Sequence, residues 1–160
     1  MNELQDPASF RSREALPRSQ RASVRKWAKV LATFPLFGSV RKRRLRKLVR
    51  EATFAELAPG ERFVVDEHSD ISLYIVLDGA AEAHGGPTSR TLGAGDYFGE
   101  LAVIDGAPRP ATVIATQELH LMKLSRRTVE GLAARYARVS LAMFENLTGQ
   151  LCRLEGQAAA

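Results

Sequence analysis

The sequence is poor in the residues that mark disulfide-stapled, metal-dependent or membrane-spanning proteins. Cysteine occurs once, at Cys152, so no internal disulfide can form and a reduced, cytoplasmic compartment is expected. Cys152 itself falls in an apolar helical stripe, where packing is a better expectation than nucleophilic chemistry. The three histidines, His68, His84 and His120, are far apart and form no His-x-His pair, so no metal site is expected. No uncharged apolar run approaches the roughly 18–20 residues of a membrane span. The N-terminus lacks an apolar stretch with a small-residue cleavage site, which argues against secretion. Gly93-Ala94-Gly95 lacks the Lys-Ser/Thr ending of a P-loop, and no Ser/His/Asp or Cys/His set is visible. The chain is therefore expected not to be an enzyme.

Acidic residues are almost missing from the first third. Residues 1–50 hold 14 Lys and Arg against Glu3, Asp6 and Glu14, a charge of +11. Residues 51–125 carry −8 and residues 126–160 carry +2, so the net +5 hides a basic end joined to an acidic middle. Such polarity suits an acidic partner, an anionic membrane or nucleic acid, with Arg41, Lys42, Arg43 and Arg44 the candidate contacts; a solvated basic surface is the plainer alternative. At 160 residues and 45% hydrophobic, the chain has material for one core domain with extra helices.

Four stretches follow. Residues 1–22 carry Pro7, Pro17 and scattered Arg without apolar periodicity, and read as a loose basic tail. Over 23–50, Val24, Trp27, Val30, Leu31 and Phe34 recur at helical steps, and after Pro35 and Gly38 a second short helix carries Leu45, Leu48 and Val49 under a basic face. Over 51–125 the period becomes two: Arg62–Val65, Leu73–Leu77, Ala80–Ala83 and Ala111–Ile114 are short runs separated by glycine turns. Short strands without intervening helices indicate an antiparallel barrel or jelly roll, giving a mainly β fold with flanking helices. Over 126–160, Val129, Leu132, Tyr136, Val139, Met143, Leu147, Leu151 and Leu154 predict one long helix. Its 26 residues would span about 39 Å, more than one barrel covers, so part of the stripe is expected to meet a second helix, as in a homodimer, or to pack back on the N-terminal helices.

Residues 92–115 stand apart. Phe98-Gly99-Glu100 closes a turn, and Leu101-Ala102-Val103-Ile104 can form one helical turn stopped by Gly106. The first N–H groups of such a turn have no internal partner and suit an anion. Arg109, between Pro108 and Pro110, offers a fork of donors to phosphate oxygens. Glu100 can accept from a sugar hydroxyl. Leu101, Val103 and Val113 remain to contact a base. Glu100 and Arg109 might instead pair with each other for structure alone.

This segment, Phe-Gly-Glu-Leu-Ala followed by Pro-Arg-x-Ala-Thr-Val, resembles the phosphate-binding cassette of cyclic nucleotide-binding domains, the family of catabolite-activator-type regulators, protein kinase regulatory subunits and nucleotide-gated channels. Weaker similarity runs over about residues 34–127: Pro35-Leu36-Phe37, Pro59-Gly60, Leu73 to Gly79 and Leu92 to Gly95. The resemblance implies that Glu100 holds the ribose 2′-hydroxyl and Arg109 the cyclic phosphate, with backbone contacts at Gly99, Leu101 and Ala102. It places Phe98, Pro110, Ala111, Thr112 and Val113 in the same site, and a base cap on Tyr136, Arg135 or Arg138. The implied ligand is a cyclic nucleotide, cAMP before cGMP, with no metal.

Three departures qualify that. Pro110 stands where the family has a residue with an N–H, and often a hydroxyl, for the phosphate; proline has neither. Asp66-Glu67-His68 replaces a Gly-Asp turn. The sequence ends at Ala160, which leaves no room for a DNA-binding effector, so a stand-alone sensor acting in trans on an unknown protein effector is expected. The alternative is a ligand-free scaffold whose basic helices dock onto an acidic partner.

Overall fold

The run Leu73 to Leu77 has no polar residue, and the strand it forms, β3 (Ser72–Asp78), is buried along its whole length except Asp78. A strand apolar on both faces needs cover on both sides, and β3 has it. Leu73, Ile75 and Leu77 point to a layer of helices, while Tyr74 and Val76 point between two sheets. The computed structural model describes residues 21–65, 71–85, 89–107 and 111–158. Expectations for residues 1–20, for Asp66, Glu67 and His68, and for Pro108, Arg109 and Pro110 lie outside the described residues.

Seven further strands complete a jelly-roll sandwich: β1 (Thr53–Leu57), β2 (Arg62–Val65), β4 (Ala80–His84), β5 (Ser89–Gly93), β6 (Tyr97–Phe98), β7 (Ala111–Ala115) and β8 (Leu119–Ser125). One sheet runs β1-β8-β3-β6 and the other β2-β7-β4-β5, and every pairing described is antiparallel. Between them lie Leu57, Phe63, Val76, Leu92, Val113, Leu119 and Leu121. Tyr74 stacks on Phe98 at 4.9 Å between ring centroids, and Phe63 meets Tyr74 edge-on at 5.2 Å, the geometries aromatic pairs prefer. Gly79 turns β3 into β4 with φ +93°, and a Cβ there would strike the Glu118 carbonyl.

The outer face of the first sheet is covered by α1 (Arg21–Thr33), a 3-10 turn at Pro35–Phe37 and α2 (Lys42–Glu51). Their apolar residues follow the sequence period: Leu31, Leu45, Leu48 and Val49 are wholly buried. The exposed arc of α2 holds Lys42, Arg43, Arg46, Lys47 and Arg50, and Arg41 precedes it; Lys47 pairs with Glu51 at 3.6 Å.

The C-terminal stretch is two helices rather than one. α4 (Arg126–Arg135) starts at Ser125, whose Oγ accepts the Thr128 N–H, and stops at Tyr136, where the backbone turns extended (φ −125°, ψ 97°). α5 (Ala137–Ala158) is the long helix, about 33 Å by its 22 residues. The break lets Val129, Leu132, Val139 and Met143 all bury against the same core. Beyond Met143 that cover ends: Leu147 is half-buried, and Phe144, Leu151, Leu154 and Cys152 are exposed. Cys152 is therefore not a packed residue as its stripe position suggests, because the part of α5 that carries it extends past the sandwich.

Candidate functional site

A short helix, α3 (Glu100–Asp105), follows β6 directly. Gly99 at its N-cap has φ +88°, and a Cβ there would lie 2.5 Å from the Ser72 carbonyl oxygen of β3. Only glycine lets the chain leave β6 this close to β3 without strain. Gly106, with φ +75°, closes the far end by donating to the Ala102 carbonyl. The single turn expected from the sequence is thus present, fixed at each end by a glycine.

This geometry turns the Glu100 side chain inward. Glu100 is only 4% exposed, and among the described residues it is the one charged residue in the buried set. A buried carboxylate needs partners, and α5 provides them. Asn146 Nδ2 donates to Glu100 Oε1 at 3.2 Å and Gln150 Nε2 donates to the same oxygen at 2.6 Å. Arg90 Nη1, from β5, lies 3.7 Å from Oε1. All three contacts fall on Oε1; Oε2 has no partner among the described residues. The second oxygen can still accept a hydrogen bond from a hydroxyl donor.

The same cluster joins four elements. Arg90 Nη2 donates to the Tyr97 carbonyl of β6 at 2.8 Å, and the Tyr97 hydroxyl donates to the Ala142 carbonyl of α5 at 3.3 Å. Burial, followed by the nearby Glu100 carboxylate, pushes the Tyr97 hydroxyl up to about 12, so it stays a donor at neutral pH. β5, β6, α3 and α5 therefore meet around one carboxylate.

The other expected site residues are placed as follows. Phe98 is buried in the sandwich core; Leu101 is exposed and Ala102 half-buried on α3. Ala111 and Thr112 are half-buried on β7, while Val113 is wholly buried. Val103 belongs to the helical core instead of facing a base, because the turn of α3 directs it toward β3 and the helices. Arg109 and Pro110 lie outside the described residues. Tyr136 packs against the helical core, and Arg135 and Arg138 are exposed at the α4–α5 corner. None of these three contacts Glu100.

The side chains that do contact it, Arg90, Asn146 and Gln150, are not among the residues picked out from the sequence. A signal existed for two of them: Asn146 and Gln150 are amides at i and i+4 within an otherwise apolar stripe, a spacing that puts both on one face. Arg90 had only its place in a short strand. Among the described residues no cluster of His, Cys, Asp and Glu is suited to a metal. None of the described helices is long and apolar enough to cross a membrane.

A jelly roll with a glycine-bracketed helical turn, a buried acid at its start and a long helix over it defines a class of small-ligand sensor domains. Residues 54–136 match the family described as the cyclic nucleotide-binding domain. The match covers more than half of the chain, and the protein belongs to that family. Among curated proteins it is 35% identical over 94 residues to a cAMP-dependent protein kinase regulatory subunit of Yarrowia lipolytica, covering 58% of this chain and 25% of that one. Among solved structures it is similar to cAMP-bound PfPKA-R, with TM-score 0.68 and 25% identity, covering 84% of this chain and 48% of that one. It shares its fold with the Thermus thermophilus catabolite activator protein, with TM-score 0.61 and 23% identity, covering 78% of this chain and 62% of that one. The chain spans about a quarter of the length of the curated relatives it matches.

Proposed function

We propose that this domain is a non-catalytic, cytoplasmic cyclic-nucleotide sensor that binds cAMP in preference to cGMP. The observation that carries the reading is Glu100: a buried carboxylate at the start of α3, with one oxygen held by α5 and the other without a partner among the described residues. Arg109 supplies the phosphate contact, with Gly99, Leu101 and Ala102 lending backbone groups and the half-buried Ala111 and Thr112 the wall, while Val113, expected to contact a base, is packed in the sandwich core. The absence of a hydroxyl at Pro110 favours cAMP. Because Glu100 ties the cassette to α5, a ligand that prefers the closed cassette also shifts the population of docked α5, and the position of α5 is the output, read in trans by a protein effector. Calorimetry with cAMP and cGMP tests this. Saturable heat with cAMP, lost in Arg109→Ala, is expected; no heat and no thermal shift at millimolar nucleotide overturns it.

A second reading, an acidic partner on the basic helices, is favoured by one observation. Arg41, Lys42, Arg43, Arg46 and Arg50 are exposed and make no ion pair among the described residues. Nucleic acid, an anionic membrane or an acidic protein would each bind with steep salt dependence. A complex indifferent to cyclic nucleotide but abolished by charge reversal at Arg41, Arg43 and Arg44 would favour this scaffold role.

A further inference from the structure

Exposed cations on a helix are normally mixed with acids, because like charges four positions apart repel. α2 departs from that. Lys42 and Arg46, Arg43 and Lys47, and Arg46 and Arg50 each stand four residues apart on its exposed arc. Its first turn holds no acid, and Glu51, the sole acid in the helix, is held by Lys47 at 3.6 Å. α1, which packs on α2, adds the exposed Arg25, Lys26 and Lys29. The row of cations weakens α2, whose hold on the fold comes from Leu45, Leu48 and Val49, wholly buried on its other side. A partner of opposite charge removes the repulsion.

Three properties of the row select that partner. From Lys42 to Arg50 the helix rises about 12 Å. Over that length a nucleic-acid duplex carries about seven phosphates, whereas an extended acidic peptide offers about four side chains, half of them on its far side. Arginine supplies five of the seven cations of residues 41–50, and its fork of donors fits phosphate oxygens. The exposed arc has no apolar residue to enter a bilayer and no aromatic ring to stack on unpaired bases.

We propose that the exposed face of α2 binds the phosphate backbone of duplex nucleic acid without reading its sequence. The proposal rests on the second reading above, an acidic partner on the basic helices, and names that partner. Lys42, Arg43, Arg46 and Arg50, with Arg41 ahead of the helix, neutralise phosphates, contacts that carry no base information. The −8 charge of residues 51–125 disfavours a second docking face there.

Fluorescence anisotropy of a labelled DNA duplex with the full chain tests it, with the single strand, polyglutamate and phosphatidylserine vesicles as competitors. The duplex should bind at about 50 mM salt, and log affinity should fall against log salt with a slope of about −4 to −5. A duplex of shuffled sequence should bind equally well. Arg43→Glu and Arg46→Glu should each weaken binding about tenfold and flatten the slope by about one. Both should melt no lower than the parent, since each turns like-charge pairs into opposite ones, so lost binding is not lost fold. Arg62→Glu, the same change of net charge at an exposed residue of β2, should move affinity far less. No binding at about 50 mM salt, affinity unmoved in both α2 variants, or an equal loss in Arg62→Glu overturns the proposal. Tighter binding of the single strand, polyglutamate or vesicles, lost in the same α2 variants, also overturns it while leaving the acidic-partner reading standing.

Discussion

Gln150 Nε2 reaches across fifty positions of sequence to donate to Glu100 Oε1 at 2.6 Å, and Asn146 joins it one helical turn earlier. The contact makes the carboxylate an anchor shared by α3 and α5. If the ligand hydroxyl takes Oε2 while α5 keeps Oε1, ligand and helix hold the carboxylate together and do not compete for it. Gln150→Ala should then weaken cyclic-nucleotide binding by about tenfold, the worth of one hydrogen bond to a charged group at its lower end. It should also raise amide exchange along α5. Tighter binding in Gln150→Ala would mean that α5 and the nucleotide compete for Glu100, reversing the sign of the coupling.

Much of this architecture is readable in the sequence because its periods are clean. The buried set Leu31, Leu45, Leu48 and Val49 follows from helical spacing, and β3 from its uninterrupted apolar run. The strands β1, β5, β6 and β8 do not announce themselves. β8 is the central partner of β1 and β3, so Met122 faces the helices while Leu121 faces the sandwich, and the apolar pair breaks a simple alternation. β6 has only two residues. The short helix α3 was legible because Gly99 and Gly106 at its ends are fixed by local backbone geometry. The partners of Glu100 were not, because Arg90, Asn146 and Gln150 arrive through tertiary packing from 10, 46 and 50 residues away.

Pro110 sets the second prediction. Beside Arg109 it offers no N–H to an anion. Restoring one in Pro110→Ala should tighten cAMP binding by about 10- to 100-fold, measured by calorimetry against the parent. Equal affinity would show that the residue after the arginine makes no contact with the phosphate.

Tyr97 sets a pH dependence. Its hydroxyl is raised to about 12, by burial and then by Glu100, from an ordinary value near 10. The folded state therefore favours the neutral hydroxyl. This contribution to stability is complete below pH ~10 and is lost as pH rises through about 12. Denaturant titrations across that window should show the parent losing stability faster than Tyr97→Phe, which has no proton to release. Parallel curves for the two proteins would mean that the hydroxyl titrates alike in folded and unfolded chains.

The outer half of α5 sets the last. Leu141, Phe144, Leu151 and Leu154 are exposed, and Phe144 is 64% so. With the half-buried Leu147, Phe144, Leu151 and Leu154 follow steps of three, four and three residues, those of a coiled-coil seam, and Leu141 flanks it. An apolar row this long on the solvent side of a helix ordinarily marks an interaction surface. If its occupant is a second copy of the same helix, the homodimer expected from the stripe length, the mass in solution reports it. Light scattering should give twice the chain mass for the parent, and one chain mass for Phe144→Glu and Leu151→Glu. Because neither side chain is in the core, the variants should keep the parent's circular dichroism spectrum at room temperature. A parent that stays monomeric at high concentration would assign the row to a different partner and leave the dimer without support.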